Sequence, residues 1–557
     1  SSHVKGLSAR APQYNQDGTL VVVTKPSLKE EAYFGDSYSL ELNAAYTQTF
    51  AEKHTIDAKA VFTVSENNGS YFWASRKDYL SATVDQLFAG SSIGMQNSGN
   101  SDEGGRMGLV GRLKYDFDSR YYIEGSFRYD GSDNFAPGHR WGFFPSVALA
   151  WDITEEPFFK NLNLKNVNLL KLRGSYGQTG TESGVNRFGY LSTYSLAENA
   201  ICIGGNLQSG FNEGALVSPE LLSWYTRNSL NYGIDVAFFN HRLKGSADYF
   251  FYVTKGGLVS PADRYVVPLG TALPQIKSEN EHRREGFEAS LRWDDKIGSD
   301  FYYEVGTNMT YYNNLYVKNQ GEALSDLKNP YKRSTHQTDY YGIMYMDNGL
   351  YQTPEQVLGV PRRLQSSATK LGDIAYEDIN GDGKIDGEDQ VRWGMPSAPH
   401  FTYGFDFVLG YKGFTLSGLL YGTGKRNMEF GVTTKKNEAI WVLNDYQLDY
   451  WREDNRDATF PRISLEALPN GSNNQAASTF WVKNASFLRL KNLTLEYDFK
   501  YKLLRNVKWL STCRANITGA NLFTISNVMD YFDPETTSTN GGYPVQRVYS
   551  LGVTIGF

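Results

Sequence analysis

The most specific chemistry in the chain sits in the twelve residues DINGDGKIDGED at 378–389. Side-chain oxygens stand at Asp378, Asn380, Asp382, Asp386 and Asp389, and Lys384 offers its backbone carbonyl between them. These are positions 1, 3, 5, 9, 12 and 7 of a calcium loop, and Gly383 stands at position 6, where the backbone must turn sharply. Oxygen donors of this kind select a hard cation, so the expected cofactor is a structural Ca²⁺. The plainer alternative is a well-solvated Asp/Gly turn.

Asp at position 12, where an EF-hand carries Glu, resembles the dockerin-type variant of the loop. No helical periodicity flanks it, so it reads as a loop motif and not as an EF-hand. The stretch GSSIG at 90–94 matches a nucleophile elbow around Ser92, but that motif needs a strand–turn–helix setting. Here it lies among Gly, Ser and Asn with no helix following, and no catalysis is expected. The seven histidines (His3, His54, His139, His241, His282, His336 and His400) show neither metal nor triad spacing. The chain is therefore not read as an enzyme. Aromatic side chains that could stack on sugar faces occur between strands: Trp73, Tyr340, Tyr341, Tyr351, Trp441 and Trp451. Each could equally join loops together or belong to an aromatic girdle.

The elements that must carry these residues are strands. The chain ends in VYSLGVTIGF, where Tyr549, Leu551, Val553, Ile555 and Phe557 alternate with Ser550, Gly552, Thr554 and Gly556. A period of two marks a strand with two different environments. FTYGFDFVLGY (401–411), LKGSADYFFYVTK (243–255) and LTLEYDFKY (493–501) repeat it, and long helical periodicity is nearly absent. About fifteen strands are expected, near 37–50, 55–67, 105–117, 120–131, 140–153, 168–178, 223–239, 242–255, 284–295, 300–316, 400–411, 413–427, 482–501, 509–524 and 546–557. Short links alternate with long ones at 68–104, 179–222, 256–283, 317–399, 428–481 and 525–545, although 154–167 is longer than its neighbour 132–139. A soluble sandwich has no reason to gather its long loops at one end. A transmembrane antiparallel β-barrel does, with short periplasmic turns, long extracellular loops and apolar alternate faces toward lipid.

Composition agrees. Aromatics make up 15% of 557 residues, the mean hydropathy is −0.47, and no run approaches the ~18 apolar residues of a membrane helix. A net charge of −6 gives no reason to expect nucleic acid. Cys202 and Cys513 do not make a disulfide framework and read as unpaired. The start at SSHVKG, without signal peptide or initiator Met, reads as that of a processed or cut product.

Five ordered blocks resemble the SusC/RagA family of TonB-dependent outer-membrane transporters. They are DGSDNFAPGHRWGFFPSVALAWDITEEPFF (130–159), LKLRGSYGQTG (170–180), LGDIAYEDINGDGKIDGEDQVRWGMPSAPHFTYGF (371–405), DYWREDNRDATFPRI (449–463) and STFWVKNASFLRLKNLTLEYDF (478–499). The resemblance implies a 22-stranded barrel of the plugged class, set in the outer membrane of a Gram-negative bacterium as a multi-pass protein. It implies a plug with a TonB-contacting segment, a SusD-like surface lipoprotein as lid, outer-membrane lipid around the wall, and a dimer of transporter–lid pairs. The cargo would be an oligosaccharide or an oligopeptide.

Nothing before residue 37 resembles a plug, and about fifteen strands fall short of 22. The expectation is the C-terminal barrel portion, with the plug and first strands on a companion N-terminal portion. The chain then divides into an entry segment (1–36, with 18–25 as one further strand), barrel strands with long loops (37–316), the calcium-motif loop (317–399), a hairpin (400–427), a loop (428–481) and three last strands (482–557). The leading function is import of oligomeric nutrients, oligosaccharides ahead of oligopeptides. The alternative is a passive porin or adhesion-type surface barrel, and a secreted glycan enzyme is disfavoured by the lipid-face alternation.

Overall fold

A computed structural model describes residues 2–8, 13–14, 20–22, 25–81, 83–214, 222–259, 276–359, 362–363, 369–429, 448–463, 473–528, 532–535 and 545–557. Fifteen long strands dominate it: β1 Ser27–Phe50, β2 His54–Arg76, β3 Gln96–Phe117, β4 Tyr121–Ser132, β5 Trp141–Asp152, β6 Val167–Thr181, β7 Tyr225–Phe238 and β8 Leu243–Lys255. They continue with β9 Glu281–Ile297, β10 Phe301–Lys318, β11 Phe401–Tyr411, β12 Phe414–Gly424, β13 Phe487–Asp498, β14 Thr512–Ala520 and β15 Val548–Gly556. Each pairs antiparallel with the next in chain order, without a break from β1 to β15.

Residues directly opposite in an antiparallel pair point to the same face, so the registers carry the alternation from strand to strand. One line runs Leu42–Phe62–Leu109–Tyr129–Phe143. Another runs Tyr232–Tyr249–Phe287–Tyr311–Phe401, and a third Leu409–Leu416–Leu495–Ile517–Leu551. Most of these side chains are exposed, Leu551 the most, at 84%. A soluble sheet does not leave such a continuous apolar face in water; a lipid-facing barrel wall must. Tyr121 and Tyr129 on β4, Tyr303 and Tyr311 on β10, and Tyr403 and Tyr411 on β11 mark two rings on this face. Eight residues at ~3.4 Å give about 27 Å along a strand, or roughly 20 Å of height after tilting, close to the apolar band of such barrels.

The other face is polar and laced with ion pairs. Arg112 pairs with Asp57 on the neighbouring strand, and Arg173 holds Asp235 at 2.7 Å and Asp248 at 3.0 Å. Arg292 bridges Glu304 and Asp406 across three strands. Cys513 faces outward opposite Ile555, Cys202 lies in an exposed hairpin, and both are free.

Two features depart from the sequence expectation. Strands β1–β3 run about ten residues beyond the expected ends, so Trp73 stands in a strand and not in a loop. Beyond the bilayer both faces are wet, so nothing there enforces alternation, and the paired backbone alone continues the ladder. The entry segment also pairs differently. Leu20–Val22, within the expected strand 18–25, pairs with Gln13–Tyr14 apart from the wall, and Ser2–Ser8 lies beside β1 at 27–33. The long link at 153–166 is a compact turn: Asp152 caps it through the Thr154 amide, and the buried Glu156 accepts from Tyr121, Trp151 and Arg120.

Leu113 faces outward opposite Gly125, midway between the two tyrosines of β4, and Ser126 faces inward. Leu113→Arg is expected to destabilise the folded barrel by about 2–4 kcal/mol, and Ser126→Gln by less than about 1 kcal/mol. Urea unfolding in lipid vesicles, followed by tryptophan fluorescence, checks the difference.

Candidate functional site

The long links do not hang free. Ile374, Tyr376, Ile385, Met428, Phe460, Trp481, Ala485 and Val528 form a hydrophobic core contributed by three loops, those between β10 and β11, β12 and β13, and β14 and β15. Short pairings stitch it: Gly342–Tyr345 with Gln390–Trp393, Asp347–Leu350 with Ile374–Tyr376, and Asn427–Glu429 with Val482–Asn484. The Trp481 indole donates to the Asn474 carbonyl at 2.8 Å. These links leave the same end of the antiparallel wall, so the loops form a folded layer at that end.

The 378–389 loop belongs to this layer, with Ile385 in its core. Asp378 accepts from the Gly381 and Gly383 amides at 2.7 and 2.8 Å, Asn380 from Asp382 at 2.9 Å, and Asp382 from Lys384 at 2.8 Å. Asp386 accepts from Glu388 at 2.8 Å. Asp389 is 0% exposed and accepts from the Ile379, Asn380 and Asp386 amides. Gly381 and Gly383 take φ of 73° and 78°, a left-handed backbone that glycine adopts without strain. Asp378 and Asp389 thus fix the turn by binding its own amides. Among the described residues no three His, Cys, Asp or Glu side chains converge as a metal cage.

The aromatic candidates are placed in different environments. Tyr351 and Trp451 are buried: the Trp451 indole donates to Gln352 at 2.9 Å and its ring lies against Gly372. Both hold loops together and present no face to a ligand. Trp73 is half-buried, with the Lys29 ammonium 4.6 Å from its ring centroid and Glu31 joined to Lys29 and Tyr71 alongside. Tyr341 lies close to Gly394, and burial raises its phenol above the ordinary range. Trp441 lies outside the described residues. Ser92 precedes strand β3 in a bend, without the helix an elbow needs.

Tyr340 lines a cavity of about 290 Å³ at the outer end of β10, with Tyr331, Asp339, Arg392, Met395 and His400. Arg392 lies 3.7 Å from the Tyr340 ring centroid and donates to the Arg333 and Thr338 carbonyls. Asp339 receives His400 Nε2 at 3.0 Å and Asn314 Nδ2 at 2.6 Å. Burial pushes the Asp339 carboxyl up, but these two hydrogen bonds outweigh it and hold the group below the ordinary range. Asn314 is held in turn by Arg284 at 2.6 Å, which fixes its amide orientation. Asp339, His400 and Arg392 carry no mutual spacing in the sequence, which singled out only Tyr340.

The family model described as "TonB dependent receptor-like, beta-barrel" matches residues 5–522. The chain is 26% identical to TonB-dependent receptor P3 of Formosa agariphila over 521 residues, covering 88% of this chain and 49% of that protein. It is 28% identical to the TonB-dependent receptor SusC of Bacteroides thetaiotaomicron over 465 residues, covering 80% and 43%. The chain thus spans about half the length of the curated relatives it matches. Its fold is similar to that of the RagAB peptide importer in the "open-open" state, with a TM-score of 0.77 at 22% identity, covering 100% of this chain and 58% of that one.

Asp389→Ala leaves three amides without their acceptor, each worth about 1–3 kcal/mol when buried. Limited proteolysis of the folded protein is expected to cut within 374–392 far faster in this variant, with the barrel fragments intact.

Proposed function

The chain belongs to the TonB-dependent receptor-like β-barrel family, and we propose that it is the barrel part of an active importer of oligomeric nutrients. The family places it in the bacterial outer membrane, where the outward apolar face meets lipid. The observation that carries the reading is the family match across nearly the whole wall. A polar, ion-paired inner face supports it.

The registers pair β15 and residues 34–50 of β1 on one side only, among the described residues. Unpaired backbone groups in hydrocarbon cost several kcal/mol each. Strands on a companion N-terminal portion, which also carries the plug and the TonB-contact segment, would complete the ladder. The cargo in this reading is an oligosaccharide in preference to an oligopeptide, because the half-buried Tyr340 in the cavity lining supplies an aromatic ring of the kind that stacks on a sugar face.

A SusD-like lipoprotein lid would rest on the loop layer. One surface suits it. The hairpin Tyr194–Ile203 with Asn206–Glu213 pairs only with itself among the described residues and exposes Leu196, Ile201, Ile203, Leu207 and Phe211, between 54% and 78% each. A two-stranded ribbon is marginal alone in water, and this much exposed apolar surface marks an interaction site. A structural Ca²⁺ at Asp378, Asn380, Asp382, Lys384 (through its carbonyl), Asp386 and Asp389 would brace the layer beneath it; the type and sequence spacing of the oxygen donors support this.

Uptake of a fluorescent oligosaccharide by intact cells is expected to stop when a protonophore collapses the proton-motive force; uptake that persists would mark a passive porin. Leu196→Asp with Phe211→Asp is expected to reduce co-purification of a lipoprotein about tenfold or more, with barrel folding unchanged. Calorimetric titration with CaCl₂ of EDTA-treated protein is expected to show binding that Asp382→Ala weakens by at least about tenfold; identical isotherms would remove the cation from the reading.

A further inference from the structure

Arginines on the inner face of the wall are matched with acids: Arg112 with Asp57, Arg173 with Asp235 and Asp248, Arg292 with Glu304 and Asp406, and Arg514 with Glu496 and Asp498. Arg227 on β7 and Arg284 on β9 break this pattern. Among the described residues neither forms an ion pair, and the one hydrogen bond between them runs from Arg284 Nε to Asn314 Oδ1 at 2.6 Å. Both side chains face inward, because each stands an odd number of residues from an outward aromatic on its strand, Tyr232 or Phe287. Both are exposed, and both line a cavity of about 230 Å³ at the end of the wall that carries the loop layer. The same parity turns Tyr252, Thr254, His282, Asn314 and Tyr316 inward around it.

No Asp or Glu lines this cavity. Carboxylates on neighbouring stretches are engaged elsewhere: Glu281 with Lys255 at 3.3 Å, Glu285 with Arg283 at 3.5 Å, and Asp339 with His400 and Asn314. Arg283 also borders the cavity, but it stands on the outward parity of β9 and lies over Phe251. His282 packs edge-on against Tyr316, with ring centroids 4.7 Å apart, and brings no negative charge. Each inward guanidinium is set by an aromatic ring: Arg227 lies 4.8 Å from the Tyr252 centroid and Arg284 4.6 Å from that of Tyr312. Stacking engages the face of a guanidinium and leaves the N–H groups at its edge free to bond. Those edges suit an oxyanion, with which arginine makes its strongest hydrogen bonds. Two cations that open onto one cavity repel each other, and an anion between them removes that cost. A volume of about 230 Å³ admits one charged group with the ring that bears it and is small for a longer segment.

We infer that this cavity is an anion subsite on the inner face of the wall, where Arg227 and Arg284 receive the carboxylate or sulfate group of an acidic sugar residue. The subsite deepens the import reading and rests on it for the sugar that carries the charge. It makes the cargo an acidic oligosaccharide, drawn toward the loop-layer end of the barrel ahead of neutral ones by the two unmatched positive charges.

The test uses the full transporter, with its lid, purified in detergent. Saturation-transfer NMR is recorded with two anionic probes, methyl β-D-glucuronide and the 6-sulfate of methyl β-D-glucopyranoside, which separate carboxylate from sulfate. Methyl β-D-glucopyranoside, without the anion, and trialanine, with its carboxylate on a peptide, serve as controls. Ring protons of at least one anionic glycoside are expected to saturate, and the controls are not. Arg227→Gln and, separately, Arg284→Gln are expected to weaken binding by about tenfold or more, since each removes a charge-assisted hydrogen bond. Heat-modified migration on gels shows that each variant barrel is folded, and Arg227→Gln carries the test if Arg284→Gln, which also loses Asn314, does not fold. Equal saturation by the neutral glycoside or by trialanine, or variant affinities within about twofold of the parent, overturns the subsite. Energy-dependent oligosaccharide uptake without binding of either anionic glycoside overturns the subsite and leaves import standing. Anionic glycoside binding without energy-dependent uptake overturns import and leaves the subsite.

Discussion

A backbone amide facing hydrocarbon has no water to bond, and this constraint organises the molecule. It makes the wall an unbroken antiparallel ladder, because each N–H and C=O must find its partner on the next strand. The ladder fixes the registers, and the registers fix which side chains share a face. A slip of one residue would turn the Leu409–Leu416–Leu495–Ile517–Leu551 line inward and bring Asp406, Glu496 and Arg514 against lipid. The ion pairs of the inner face follow from the same registers: Arg173 reaches Asp235 and Asp248 because the three lie on adjacent strands of one face.

Where the lipid ends, a different balance takes over. Water can satisfy loop backbone, so nothing compels the loops to form a ladder, and their order comes instead from burying apolar side chains around Ile374 and Trp481. Hydrophobic burial supplies the stability, and buried acceptors such as Asp389 decide the path of the chain. The rim cavity lies where the two regimes meet. One wall belongs to β10 and the start of β11, the other to loop strands held by the loop core, and the Asp339–His400 hydrogen bond joins them.

That junction also bears on function. In the proposed import reading, cargo must be held loosely enough to be released into the barrel, and a site made from a rigid wall and a loop layer could be altered by moving the loops alone. Arg284 and Asn314 connect the inner face to Asp339, so a change in the barrel interior has a direct route of contacts to the rim.

The sequence by itself determined the fold class, the strands and the lipid face, since the period of two records the two solvents on either side of each strand. It also fixed the turn at 378–389, because that geometry is local: each carboxylate binds amides within ten residues, and Gly381 and Gly383 stand where the backbone turns left-handed. The sequence left the outer extensions of β1–β3 hidden, because strands wet on both faces need no alternation. Tertiary structure alone decided which loop aromatics were buried. Tyr351 and Trp451 read the same as Tyr340, yet the first two became core and the third a cavity wall. It alone also brought Asp339 to His400, 61 residues apart. Such a pairing depends on how distant loops settle on a common wall, which no local pattern of residue types records.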